Sequence, residues 1–84
     1  MNAEVKTMQI NIEKDKVLDV QYFTSDISEK PNVAEVILRF DDPKTGKNCQ
    51  ISQREFKDVL EANPNLLEEM VKQSVKDFFQ DKLS

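Results

Sequence analysis

The segment Val33–Phe40 constrains the fold most strongly, because its side chains follow the two-residue period of a β-strand. Successive side chains of a strand point to opposite faces of a sheet. One face of this segment is wholly apolar and carries Ala34, Val36, Leu38 and Phe40. The other face is half apolar and half charged and carries Val33, Glu35, Ile37 and Arg39. This pattern predicts a strand whose first face meets a hydrophobic core.

Three further strands follow from the same kind of alternation, so that strands are predicted at about 5–13, 17–24, 33–41 and 47–51. Met8, Ile10 and Ile12 alternate with polar residues, as do Leu18, Val20 and Tyr22. The polar segment 24–32, which contains Pro31, is predicted to be a loop. Pro43 and Gly46 predict a turn between the third and fourth strands.

Two helices are predicted after the strands, at about 53–62 and 64–82. The segment 52–55, Ser-Gln-Arg-Glu, matches a capping box, and Ile51 and Phe56 occupy the two positions of a hydrophobic staple. Asn63-Pro64 then separates the helices, because proline disfavours the helical conformation of the residue before it. Proline is also favoured in the first turn of a new helix.

The element order predicts an α+β fold with one domain spanning residues 1–84. We expect a four-stranded antiparallel β-meander followed by two C-terminal helices packed on one face, in the order β-β-β-β-α-α. The predicted core consists of Met8, Ile10, Ile12, Leu18, Val20, Tyr22, Val36, Leu38, Phe40, Ile51, Phe56, Leu60, Leu67, Val71 and Phe78.

Composition narrows the functional classes. The net charge of −4 disfavours a nucleic-acid or anionic-membrane surface, since both require a basic field. No stretch approaches the roughly 20 apolar residues of a membrane span. A single cysteine, Cys49, excludes an internal disulfide and is typical of a reducing compartment, so we expect a cytoplasmic protein.

Residues suited to catalysis or to cofactor or metal binding are scarce. The chain has no histidine, which is the usual general acid or base. The adjacent carboxylates Asp41-Asp42 and Glu68-Glu69 diverge in a turn or helix and suit solvent-facing positions. Cys49 shares the parity of Ile51, which predicts an inward-facing side chain that acts as a small hydrophobe. We therefore expect no enzyme activity, no cofactor and no metal site.

The predicted sheet face opposite the helices offers a candidate surface for binding a partner. Apolar residues accumulate there although one layer of helices cannot cover it, and such patches commonly mark protein contacts. The alternative is that the 24–32 loop folds over them. The second predicted helix adds Phe79 and Leu83, which extend past a narrow apolar stripe and would pack either a symmetric partner or the end of the sheet. The predicted partner-binding residues are Val17, Phe23, Val33, Ile37, Arg39, Phe79 and Leu83.

These features favour a non-enzymatic, small acidic protein-binding module whose partner is another protein or a second copy of the chain. A phage or mobile-element accessory protein, such as an inhibitor of a host protein, is one setting that the small size and lysine bias suggest. Two alternatives stay open: a nucleic-acid-associated or nucleic-acid-mimicking protein, and a homodimeric structural protein. Val17, Phe23, Val33 and Ile37 are central to the first interpretation.

Overall fold

The computed structural model describes residues 4–13 and 15–83, and the side chains of residues 4–13 and 15–80. It contains six elements in the predicted order. The strands are β1 (Lys6–Glu13), β2 (Lys16–Ile27), β3 (Lys30–Asp41) and β4 (Asn48–Phe56). The helices are α1 (Lys57–Ala62) and α2 (Leu66–Leu83). The predicted α+β fold is confirmed.

The strands form one antiparallel sheet in the order β1-β2-β3-β4. Leu38 at the centre of β3 lies opposite Tyr22 on β2 and Ile51 on β4. This register brings apolar residues of neighbouring strands onto one side of the sheet, which we call the covered face. A shift by one residue would move these side chains to the other side, so burial of the covered face fixes the register.

The hydrophobic core lies between the covered face and α2. Val71 and Val75 of α2 are completely buried, as is Val20 of β2. The buried apolar residues that form the core cluster are Ile10, Leu18, Val20, Tyr22, Val36, Leu38, Phe40, Val71 and Val75. Three phenylalanine rings pack together beside this core. The ring centroid of Phe40 lies 5.3 Å from that of Phe78 and 5.8 Å from that of Phe79, distances typical of stabilising aromatic pairs.

The predicted start of the first helix at Ser52 is wrong. β4 continues through Phe56, and α1 begins at Lys57 without a side-chain cap. The reason is tertiary, since residues 52–56 pair with residues 33–37 of β3 and so satisfy their backbone groups in the sheet. The staple and the core assignment of Phe56 fail with the cap, because Phe56 is 57% exposed.

The predicted loop 24–32 is wrong as well, because β2 and β3 extend into it and leave only Ser28-Glu29 as the turn. Pro31 is tolerated in β3 because β4 pairs with β3 only from Val33 onward. Its missing N–H therefore removes no hydrogen bond with β4. With no long loop present, nothing from this segment folds over the second face of the sheet.

The turn between β3 and β4 lies where it was predicted, but Asp42 is buried and not solvent-facing, because its carboxylate accepts a hydrogen bond within the turn. The Asp42 Oδ1 atom accepts a hydrogen bond of 2.9 Å from the Lys44 backbone N–H, and the Gly46 N–H donates to the Asp42 carbonyl at 2.7 Å. Gly46 has φ +73°, a conformation that glycine adopts without strain.

The break between the helices also falls near its predicted place. The Asn63 side chain donates to the Val59 carbonyl at 3.0 Å and so completes the end of α1, and α2 begins at Leu66.

Candidate functional site

The side of the sheet opposite the helices, which we call the open face, contains no buried residue among those described. It is formed by the odd-numbered residues 7–11, 17–25 and 33–41 and by the even-numbered residues 48–56. Every one of these side chains is exposed or half-buried. Both helices lie on the covered face, where α2 contributes to the core and Leu60 of α1 lies near Ala34. The open face is therefore accessible along its whole length.

One end of the open face is apolar. Phe23 lies directly opposite Ile37, and Val33 lies directly opposite Phe56. We call these four residues the apolar patch. Phe23, Val33 and Ile37 are half-buried by their neighbours within the sheet, whereas Phe56 at the β4 edge is more than half exposed. The structure thus brings together three of the predicted partner-binding residues and adds Phe56 to them.

Val17 lies on the open face, as predicted, but at its other end. It is opposite Asn11 and is 56% exposed. Phe23 lies six positions further along β2, which corresponds to roughly 20 Å at about 3.3 Å per residue. Asp19 and Gln21 lie between them on the same face. Val17 is therefore not part of the apolar patch.

Arg39 borders the apolar patch and is held by two contacts. Its Nε–H donates a 3.1 Å hydrogen bond to the Gln50 Oε1 atom on β4. Its guanidinium carbon lies 5.3 Å from the centroid of the Phe23 ring. A cation in this position is attracted to the negative face of the ring, by about 0.5–1 kcal/mol at an exposed site. These contacts orient a charged group beside the apolar residues.

Charged residues are not distributed evenly over the molecule. The chain contains ten lysines and two arginines, and both arginines, Arg39 and Arg54, lie on the open face. None of the described open-face residues is a lysine. Protein interfaces are enriched in arginine and aromatic residues and depleted of lysine relative to other surfaces. The open face has this composition, and the remainder of the described surface does not.

Phe79 and Leu83 do not join the other predicted partner-binding residues. Phe79 is half-buried on the covered side, with its ring centroid 5.3 Å from that of Phe78. Core packing therefore accounts for the wide apolar arc of α2 at this position. Leu83 is the last residue of α2, and its side chain lies outside the described residues.

Phe56 and Arg54 are the open-face residues that sequence reasoning missed. The helix predicted from Ser52 placed both of them on α1. The signal that could have found them is the alternation beyond Ile51, because Gln53 and Glu55 continue the inward parity of Cys49 and Ile51. On a strand that parity turns Arg54 and Phe56 outward.

The reactive side chains of Cys49 and Tyr22 belong to residues that pack in or against the core. Cys49 is half-buried on the covered face, where it packs against the core, as its parity predicted. The Tyr22 hydroxyl belongs to a buried residue, and burial, with a further effect of the Glu68 charge, raises the pKa of Tyr22. Within residues 4–13 and 15–80, no three His, Cys, Asp or Glu side chains lie close enough together to hold a metal ion.

Neither described helix is long and apolar enough to cross a membrane. Comparison with known proteins found no matching family model, no matching curated protein and no matching solved structure. The open face is therefore interpreted from its own residues.

Proposed function

We propose that this chain is a non-enzymatic protein-binding module and that the open face of its sheet is the binding surface. The observation that carries the proposal is the apolar patch on a face without helical cover, bordered by the chain's only two arginines. Burial of apolar area supplies affinity at the centre of an interface, and an arginine beside it adds hydrogen bonds and directional charge. Phe23 and Ile37 lie side by side on β2 and β3 and would form that apolar centre.

Charge favours a protein partner over a nucleic acid. Three carboxylates, Asp19, Glu35 and Asp41, share the open face with two guanidinium groups. The face as a whole is therefore slightly acidic, as is the chain with its net charge of −4. A phosphate backbone requires a positive field, whereas protein interfaces use charges of both signs.

The proposal includes a cytoplasmic setting, which rests on the single cysteine. The role of a phage or mobile-element accessory protein, or of an inhibitor of a host protein, stays a prediction. It is supported by the small size of the chain, its acidity, its preference for lysine over arginine and its scarcity of catalytic residues.

The test is partner capture from the source cells, followed by binding measurements with the purified partner. We expect Ile37→Glu to weaken binding at least about tenfold, because it places a charge within the apolar patch. The matched control is Val17→Glu, which introduces the same residue on the same face but at its polar end. Val17→Glu should leave the dissociation constant within about threefold of the wild-type value. Circular dichroism and urea unfolding would establish that both variants fold.

Equal binding by wild type and Ile37→Glu would contradict the proposal. So would a loss of binding caused equally by both variants, because that result would reflect added negative charge and not the position of the patch.

A further inference from the structure

We infer that the occupant of the open face is a second copy of this chain, related by a two-fold axis that crosses the strands at the Phe23–Ile37–Ser52 row. These three residues lie side by side across β2, β3 and β4. The inference rests on the proposed function, because it names the partner of the same surface. It is carried by the positions of the charged residues relative to this row.

Two identical faces that stack against each other are related by a two-fold axis parallel to the plane of the sheets. In such an arrangement each contact occurs twice, once in each direction. An axis across the strands reverses their direction, so a residue two positions before Ile37 lies over the residue two positions after it. Glu35 and Arg39 occupy these two positions on the open face of β3. Each copy would therefore place Glu35 over Arg39 of the other.

The side chains can span the separation that this arrangement requires. Packed sheets lie about 10 Å apart with strands within about 30° of parallel. A glutamate and an arginine extending from opposite sheets can meet across that distance, and this pairing is the favourable carboxylate–guanidinium combination. At the axis itself, Phe23 and Ile37 of one copy would lie against the same residues of the other, burying the centre of the apolar patch.

Two other simple two-fold axes bring like charges together. An axis along β3 would place Arg39 over Arg39 and Glu35 over Glu35. An axis along the strands between β2 and β3 would place Asp19 over Asp41 twice, because these residues share a row, two positions from the Gln21–Arg39 pair. Juxtaposed like charges are costly at an interface. An axis between β3 and β4 would pair Glu35 with Arg54, but it would leave β1 and β2, and with them Phe23, without a facing strand. Opposite charges together with burial of Phe23 therefore favour the axis that crosses the strands.

The available area sets the strength of the dimer. The axis overlays β2, β3 and β4, because β1 begins opposite Tyr22 and lies entirely on one side of the row. Three strands about 4.8 Å apart, overlaid along nine residues of about 3.3 Å each, give a face of roughly 15 Å by 30 Å. Two such faces would bury about 900 Å² in total, which is below the roughly 1,200 Å² of stable specific interfaces and is typical of weak, transient ones. We therefore expect a dimer that dissociates on dilution, with a dissociation constant in the micromolar range.

Analytical ultracentrifugation over a dilution series would test this arrangement. The wild-type mass should rise with concentration from 9.8 kDa toward twice that value. Arg39→Glu and Glu35→Arg should each raise the dimer dissociation constant at least about tenfold, because each places like charges in both symmetric contacts. An equimolar mixture of the two variants should recover dimers, because one copy then carries two acids and the other two arginines at the facing positions.

Arg54→Glu is the matched control, since it makes the same change in net charge on the same face. Under the proposed axis Arg54 lies over Gln50, so its replacement should change the dissociation constant less than about threefold. An effect of Arg54→Glu equal to that of Arg39→Glu, or a mixture that stays monomeric, would overturn the arrangement.

A wild-type mass of 9.8 kDa up to about 1 mM would overturn the second-copy inference alone if Ile37-dependent capture of a different protein persisted. A wild-type dimer that neither Ile37→Glu nor Arg39→Glu weakens would use another surface. That result would overturn this inference, and retention of the captured partner by Ile37→Glu would separately overturn the proposed function.

Discussion

Both faces of β3 carry apolar residues, but the two faces differ in what lies against them. Val36, Leu38 and Phe40 on the covered face are each at most 3% exposed. Val33 and Ile37 on the open face are also apolar and β-branched, yet they are only half-buried. A single layer of helices accounts for the difference, because it removes water from one side of a sheet and leaves the other side hydrated.

The polar and charged residues of the two faces also differ. The covered face holds a polar pair inside its apolar surroundings, in which the Gln53 amide donates a hydrogen bond to the hydroxyl of buried Ser74. The open face instead carries Arg39, which Phe23 and Gln50 orient, together with Glu35 and Asp41 of β3 and Arg54 of β4. The side chains of the covered face therefore hold α2 in place. The open face combines apolar and charged groups that intramolecular packing does not require.

The largest expected difference between the faces is in stability. Leu38→Ala should lower the free energy of unfolding by about 2–5 kcal/mol, because it removes a fully buried side chain and leaves a cavity. Ile37→Ala, at the neighbouring position on the open face, should lower it by about 0.5 kcal/mol. Urea unfolding at a concentration low enough to keep the chain monomeric measures both values. Similar losses for the two variants would mean that the open face is covered, and the comparison would fail.

A smaller effect is expected from the polar pair on the covered face. Ser74→Ala should destabilise the protein by about 1–2 kcal/mol, because the Gln53 amide then loses its partner at a partly buried site. Ser52→Ala, on the open face beside Gln53, should change the stability by less than about 0.5 kcal/mol.

The double variant Gln53→Leu/Ser74→Ala sharpens this test. Replacing both partners with apolar groups removes the unsatisfied polar atom, so the double variant should recover most of the stability lost in Ser74→Ala. A double variant as unstable as Ser74→Ala would show that the hydroxyl contributes through packing and not through its hydrogen bond to Gln53.

The sequence was sufficient to predict the fold class and the strand centres, because alternation over Val33–Phe40 and its neighbours has one simple solution. It was insufficient at the ends of the strands. Ser52 and Glu55 satisfy the local pattern of a helix cap and also continue the alternation of β4. The choice is made by the first half of β3, whose backbone groups pair with residues 52–56. The local pattern of residues 52–56 does not identify the strand with which they pair.

The candidate site was predictable to the same extent. Phe23, Val33, Ile37 and Arg39 follow from the parity of two well-defined strands, and the structure places them on one face. Phe56 and Arg54 depend on the true length of β4 and were assigned to a helix. Phe79 satisfies two descriptions from sequence, a partner contact and a core residue, and only its position beside Phe40 and Phe78 favours the core.

The smallest expected effect concerns the ion pair that joins the start of α1 to the end of β2. The Lys57 Nζ atom at the start of α1 lies 2.8 Å from the Asp26 Oδ1 atom near the end of β2, and Asp26 is 87% exposed. The hydrogen bond from Lys57, and then its charge, lowers the pKa of Asp26 below its ordinary value of 3.8. A carboxyl whose pKa is lower in the folded state stabilises the fold above its unfolded-state pKa, and this contribution is lost as the pH falls through the folded-state pKa.

Asp26→Asn should therefore be slightly less stable than wild type at pH 7, and the two should converge in acid below pH 3.8. Thermal unfolding across this range measures the difference, with Lys57→Gln and the double variant completing a mutant cycle. Because exposed ion pairs contribute little, the pair should shift the melting temperature far less than Leu38→Ala does. If the difference in melting temperature between wild type and Asp26→Asn stays constant down to low pH, the Asp26 carboxylate does not help to hold α1 over the covered face.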